Sequence, residues 1–126
     1  MARRWVTGWK LDAEDRERLL ERFRPVFPDV VADHVTLRTD TNAGTPLPRE
    51  TRGQVVGEID DGAGVQALVV EIGGTTDRSD GSTYHVTWSL DCARSRRPVE
   101  SNDVIARLGW RSLPEPVPIR LHPARF

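Results

Sequence analysis

The chain has 126 residues, 37% of them hydrophobic and 29% charged, with a formal net charge of -1. Length and composition are typical of one globular domain over 1-126 and exclude a disordered chain. The near-zero net charge excludes a global field that would hold a long polyanion, so a nucleic acid would have to be gripped locally. Because Cys92 is the only cysteine, an internal disulfide framework is excluded.

Six strands and two helices are predicted along the chain. The strands fall at 5–10, 34–39, 54–59, 66–72, 84–90 and 117–121, and the helices at about 13–23 and from Ser101 to Leu108. Polar loops connect them at 41–52, 73–83 and 91–100. The irregular order of strands and helices favours an α+β fold over a parallel doubly wound sheet.

Local signals set several of these boundaries. Asp12 is a suitable N-cap for the first helix and Ser101 for the second, and Gly109 is placed to end the second helix. The Asp60-Asp61-Gly62 run predicts a hairpin turn. Pro118 predicts an edge position for the last strand, because proline cannot donate to a ladder.

No apolar run approaches the length of a membrane span, and the first residues lack the apolar segment of a secretory signal. We therefore expect a cytoplasmic protein without membrane contact. Nothing in the pattern indicates an obligatory protein partner.

The chemistry-bearing signal is a duplicated tripeptide, His34-Val35-Thr36 and His85-Val86-Thr87. Side chains alternate across a strand, so each histidine shares a face with its threonine while the valine anchors the opposite face. By the same alternation Ser89 is predicted to lie on the face of His85 and Thr87.

Two imidazoles on neighbouring strands suit phosphoryl chemistry. One neutral histidine can take a proton from attacking water, and one protonated histidine can give a proton to the leaving oxygen. The threonine hydroxyls would donate to the non-bridging oxygens. This chemistry needs no metal or cofactor, and the symmetry of the motif leaves open which histidine is the base.

Two alternatives compete with this interpretation. Each tripeptide on its own reads as a half-buried strand, but two of only three histidines falling in the same tripeptide favours function. The paired histidines could instead bind a metal together with His122 or Asp33. A metal site normally has a third well-placed ligand, and the position of His122 in the sequence does not match a typical metal-ligand spacing.

The patterns His34-Val35-Thr36-Leu37 and His85-Val86-Thr87-Trp88 resemble the signature of the two-histidine (2H) phosphoesterase superfamily, which includes RNA-repair cyclic phosphodiesterases. The resemblance implies compact antiparallel sheets in two small lobes around a central cleft. It also implies metal-independent opening of a 2',3'-cyclic phosphate, or a related phosphodiester, on a nucleotide or RNA end. His34 and His85 would then be the acid-base pair, and Thr36 and Thr87 the phosphate ligands. An inactive module that binds nucleotide or RNA ends is the alternative function.

Secondary site candidates are Ser101 and Asn102, whose backbone N–H groups at a helix start could receive a phosphate, although capping alone explains Ser101. Tyr84, like Trp9, could stack on a base, but a position in the core or at its rim is favoured for both. The arginines of the loop before the second helix fit a solvated charge run better than a phosphate clamp: Arg94, Arg96 and Arg97.

Overall fold

The computed structural model describes residues 4–126, so residues 1–3, which were considered for a secretory signal, lie outside it. The elements in chain order are β1 (Trp5–Leu11), α1 (Ala13–Arg22), β2 (Asp29–Val30), β3 (His34–Thr41), β4 (Arg52–Asp60), β5 (Val65–Glu71), β6 (His85–Leu90), α2 (Glu100–Leu108) and β7 (Arg111–Arg125), with a 3₁₀ turn at Cys92–Arg94. Each pair of neighbouring strands is antiparallel. The prediction of an α+β fold with two short helices is confirmed.

The strands form one sheet in the order β2-β6-β5-β4-β7-β1-β3. The long β7 pairs with β4 over residues 111–120 and with β1 over residues 121–125. It therefore joins a half that carries β6 to a half that carries β3. These two strands lie towards opposite ends of the sheet, yet their Cα atoms come within 8 Å of each other. The sheet must curl to achieve this, and the curl brings the two His-Val-Thr copies together.

The core explains why β5 is the most apolar strand. Leu68 and Val70 face the main core with Trp9, Val35 and Trp88, whereas Ala67 and Val69 face Ile105 of α2. A strand covered on both faces carries a continuous apolar run, as Val65–Glu71 does. In the sheet this strand lies between β6 and β4.

Three local predictions are also confirmed. Asp12 caps α1 by accepting a hydrogen bond from the Asp15 N–H. Gly109 ends α2 in a positive-φ conformation. The β4–β5 hairpin turns at the predicted residues, where Gly62 also has a positive φ.

The last strand differs from its prediction. It covers Arg111–Arg125 rather than 117–121, and it lies inside the sheet rather than at an edge. A register shift between Val55 and Gly57 of β4 leaves residues 113–116 of β7 outside the paired register, which accommodates the prolines there. At Pro118 only β4 runs alongside, because pairing with β1 begins at Leu121. The missing N–H is therefore tolerated within an interior strand.

No helix in residues 4–126 is long and apolar enough to cross a membrane.

Candidate functional site

Both His-Val-Thr copies open onto one cavity of about 190 Å³ between β3, β6 and the start of α2. Its walls are formed by nine residues: His34, Thr36, Thr39, Arg78, His85, Thr87, Pro98, Val99 and Asn102. The structure thus brings together the two histidines and two threonines singled out from the sequence. The valines of both copies are buried in the main core, as alternation predicts.

His34 is held by a carboxylate. Its Nδ1 lies 3.0 Å from Oδ2 of Asp33, and since a carboxylate only accepts, Nδ1 carries the proton. The ring also packs against Phe126, with a centroid distance of 4.5 Å. These contacts orient the imidazole and leave Nε2 as its nitrogen without a partner in residues 4–126.

Asp33 is itself anchored by Lys10 of β1, whose ammonium group donates to the same Oδ2 atom. Partial burial acts to raise the pKa of Asp33, but the hydrogen bonds from Lys10 and His34 outweigh it and bring the pKa below its ordinary value. Asp33 is therefore ionised at neutral pH. His34 forms an ion pair with it whenever the imidazole is protonated.

His85 has a different environment. Its Nδ1 donates to the backbone carbonyl of Thr83 at 2.8 Å, so the ring has a neutral partner rather than an anionic one. Burial lowers the pKa of His85 below its ordinary value of 6.5; the hydrogen bond to Thr83 opposes this, and the positive charge of Arg78 adds to the lowering. His85 is thus neutral at pH 7, with its proton on Nδ1 and a lone pair on Nε2.

The two threonines are also unequal. Thr36 Oγ1 has no hydrogen-bond partner in residues 4–126, so its hydroxyl is available to a ligand. Thr87 Oγ1 donates to the carbonyl of Pro98 at 3.2 Å and lies 2.9 Å from Oγ of Ser101. Thr87 therefore ties β6 to the start of α2.

This tie corrects the interpretation of Ser101 as an N-cap. The N-cap position is Val99, and Ser101 lies within the first turn of α2 with its hydroxyl fully buried against Thr87. The backbone N–H groups of Ser101 and Asn102 donate to Pro98 and Val99, because a turn precedes the helix. The sequence suggested that these N–H groups could receive a phosphate, but they are already used in these hydrogen bonds.

Asn102 does line the cavity, through its side chain rather than its backbone. Its Nδ2 donates to the Val99 carbonyl, and its Oδ1 is buried without a hydrogen-bond partner in residues 4–126. An acceptor in this state suits a ligand that carries a hydroxyl group.

Two polar residues of the cavity were missed from the sequence. Thr39 joins the cavity because β3 holds extra residues opposite β1 between Thr36 and Thr41, which resets the alternation of its side chains. Arg78 comes from the 73–83 loop, where nothing in the spacing marks it. Arg38, which follows the first tripeptide closely, is exposed and lines a separate cavity.

Two secondary candidates lie outside the cavity. Ser89 is fully buried and bonds Gln66, because a register shift after Thr87 breaks the alternation that would have aligned it with His85. Tyr84 belongs to the main core, where its ring meets Trp9 edge-on at 5.7 Å. His122 bonds Asp12 instead of approaching the other histidines.

Of the arginines before α2, Arg94 and Arg97 are exposed, as a solvated charge run predicts, and Arg94 pairs with Asp91. Arg96 differs, because it is a partly buried ion-pair partner of Asp61 and Glu100. In residues 4–126 no group of three His, Cys, Asp or Glu side chains is arranged to hold a metal ion.

A larger cavity of about 490 Å³ lies between α1, β4 and β7. Two of its arginines, Arg18 and Arg120, are paired with Asp15 of the same cavity, and it contains neither histidine. Of these two cavities the smaller one is the candidate site, because it is the one in which two histidines converge.

Comparison of the chain with protein-family models, with curated proteins and with solved structures finds no match in any of the three.

Proposed function

We propose that this protein is a metal-independent phosphodiesterase that opens a 2',3'-cyclic phosphate, or a related phosphodiester, on a nucleotide or RNA end. The observation that carries the proposal is the convergence of His34 and His85 on one cavity, each with Nδ1 occupied and Nε2 left for chemistry. Acid-base catalysis by two imidazoles needs this arrangement.

We assign the base to His85. Its neutral form at pH 7 carries the lone pair on Nε2, because Nδ1 is committed as a donor to the Thr83 carbonyl. A base must be unprotonated and within reach of the attacking water. The lowered pKa of His85 meets the first requirement, and its position on the cavity wall supports the second.

The acid is then His34. It is the histidine of the pair with a carboxylate partner in residues 4–126, so its protonated form is balanced by the charge of Asp33. Lys10 holds that carboxylate in place on the neighbouring strand.

The reaction proceeds by one displacement at phosphorus. His85 takes a proton from water as its oxygen forms a new bond to phosphorus, the bond to one ribose oxygen breaks, and His34 gives its Nε2 proton to that oxygen. The product is a phosphate monoester with a free ribose hydroxyl. The Thr36 hydroxyl donates to a non-bridging oxygen, where negative charge develops.

The hydroxyl of Thr87 is already hydrogen-bonded to Pro98 and Ser101. This favours a second candidate function, a module that binds a nucleotide or RNA end without turnover. In that case His34 and His85 would be ligand contacts only.

One experiment separates the two. Hydrolysis of 2',3'-cyclic AMP and of an oligoribonucleotide ending in cyclic phosphate is measured with chelator present, for the wild type and for His34→Ala, His85→Ala and His122→Ala. We expect turnover with a bell-shaped pH profile that both cavity variants abolish and the exposed His122→Ala variant retains. Binding of 2',3'-cyclic AMP without turnover by the wild type would identify the binding module instead.

A further inference from the structure

Arg78 is a buried cation in the wall of the cavity. Its side chain is only 8% exposed, although arginine normally lies in solvent. It lies at the tip of a short hairpin, where its N–H donates to the Ser82 carbonyl and its carbonyl accepts from the Gly81 N–H, both at 2.9 Å. The returning arm of this hairpin runs directly into β6, so the position of Arg78 relative to His85 is fixed by a few residues of backbone.

The guanidinium of Arg78 has N–H groups that make no hydrogen bond within residues 4–126. Its Nε and Nη2 atoms donate to the two carboxylate oxygens of Asp80 at 3.0 and 2.7 Å. A guanidinium carries five N–H donors, and those on Nη1 have no acceptor in residues 4–126. Asp80 also bonds the Ser82 backbone and hydroxyl, so it braces the hairpin and the arginine together.

Thr87, by contrast, has no donor to offer. A hydroxyl has one hydrogen, and that of Thr87 is directed to the Pro98 carbonyl while Ser101 occupies its other side. The phosphate ligand expected on the His85 side of the cavity is therefore missing from the second tripeptide, whereas Thr36 on the His34 side remains available.

We propose that Arg78 binds a non-bridging oxygen of the substrate phosphodiester on the His85 side of the cavity, in the place that the symmetry of the two tripeptides would give to Thr87. The proposal rests on the phosphodiesterase function above. A guanidinium supplies positive charge and two parallel donors, which a hydroxyl does not, so this side of the site selects an anionic phosphoryl group. The two halves of the cavity are thus chemically unequal in their phosphate ligands.

The test compares Arg78→Gln, Arg78→Lys and Thr87→Val with the wild type in hydrolysis of 2',3'-cyclic AMP. Removing one donor to a developing oxyanion lowers kcat by about 100-fold or more, so we expect that loss for Arg78→Gln and a smaller one for Arg78→Lys, which keeps the charge but not the fork. Thr87→Val should lose less than about fivefold, since its hydroxyl makes no substrate contact. Arg107→Gln, which removes an exposed arginine of α2, is the matched control and should act like the wild type.

Binding of inorganic phosphate, measured by NMR titration, tests the role of Arg78 independently of the proposed phosphodiesterase function. If the wild type hydrolyses nothing, the phosphodiesterase proposal fails, but Arg78→Gln should still weaken phosphate binding by about tenfold relative to Arg107→Gln. Should Arg78→Gln fail to fold by circular dichroism, Arg78→Lys decides by the same comparison. Equal phosphate affinity in the Arg78 variants and the wild type, no phosphate binding by the wild type, or a Thr87→Val loss as large as that of Arg78→Gln would overturn the inference.

Discussion

The hydroxyl pair of Thr87 and Ser101 allows a quantitative prediction. Replacing Thr87 with valine keeps the shape of the side chain but removes its hydrogen bonds to Pro98 and Ser101. Ser101 is 0% exposed, and its hydroxyl has no other partner in residues 4–126, so the variant leaves a buried polar group unsatisfied. Such a group costs about 1–3 kcal/mol, and we expect Thr87→Val to lower the free energy of unfolding by about 2–3 kcal/mol.

Thr7→Val is the matched control. Thr7 is also 0% exposed on a strand, but its Oγ1 has no hydrogen-bond partner in residues 4–126. Replacing an unpaired buried hydroxyl with a methyl group removes a desolvation penalty, so this variant should be neutral or more stable by up to about 1 kcal/mol.

The double variant Thr87→Val/Ser101→Ala tests the pairing itself. Because the orphaned hydroxyl disappears with its partner, the double variant should be less destabilised than the sum of the single variants by about 1 kcal/mol or more. Urea denaturation followed by far-ultraviolet circular dichroism gives all the free energies. Equal effects of Thr87→Val and Thr7→Val, or strict additivity in the double variant, would refute the bonding scheme.

Three further predictions concern His85, Arg96 and Gly8. Burial lowers the pKa of His85 below its ordinary value of 6.5, so the unfolded chain binds this proton at a higher pH than the folded chain does. The free energy of unfolding should therefore fall as the pH is lowered through about 6.5, and fall less in His85→Gln; equal slopes in urea titrations would contradict this. Arg96→Leu leaves the carboxylate of Asp61 without its ion pair and should lower the urea midpoint more than the exposed Arg107→Gln does; equal midpoints in the two variants would contradict this. A Cβ at Gly8 would lie 2.2 Å from the backbone oxygen of Val35. Gly8→Ala should therefore push β1 away from β3, lower the free energy of unfolding by about 1–3 kcal/mol and reduce turnover. The exposed Gly44→Ala is the control and should leave the thermal midpoint and turnover unchanged.

Much of the fold could be predicted from local signals in the sequence. The cap at Asp12, the end of α2 at Gly109 and the hairpin at Gly62 depend on a few adjacent residues, and each was predictable for that reason. The extent and place of β7 were not, because its prolines are tolerated through a register shift in β4 that no local pattern records.

The candidate site likewise has some residues that could be predicted from the sequence and others that could not. Alternation within a strand placed the histidines and the threonines of the two tripeptides correctly on the cavity, but it failed for Thr39 and Ser89, where extra residues in β3 and β6 reset the side-chain direction. Arg78 reaches the cavity from a loop, and its importance depends on burial and on its bonds to Asp80. Those are properties of the folded chain.

The position of β7 has a consequence for how the protein folds. The half with β3 and the half with β6 are joined in the sheet by a strand that follows both of them in the chain. Until β7 inserts between β4 and β1, the pairings that hold these halves in one sheet cannot exist. Contacts between residues so distant in sequence close slowly. During synthesis, His34 and His85 are therefore brought to their shared cavity only after the residues of β7 have been made.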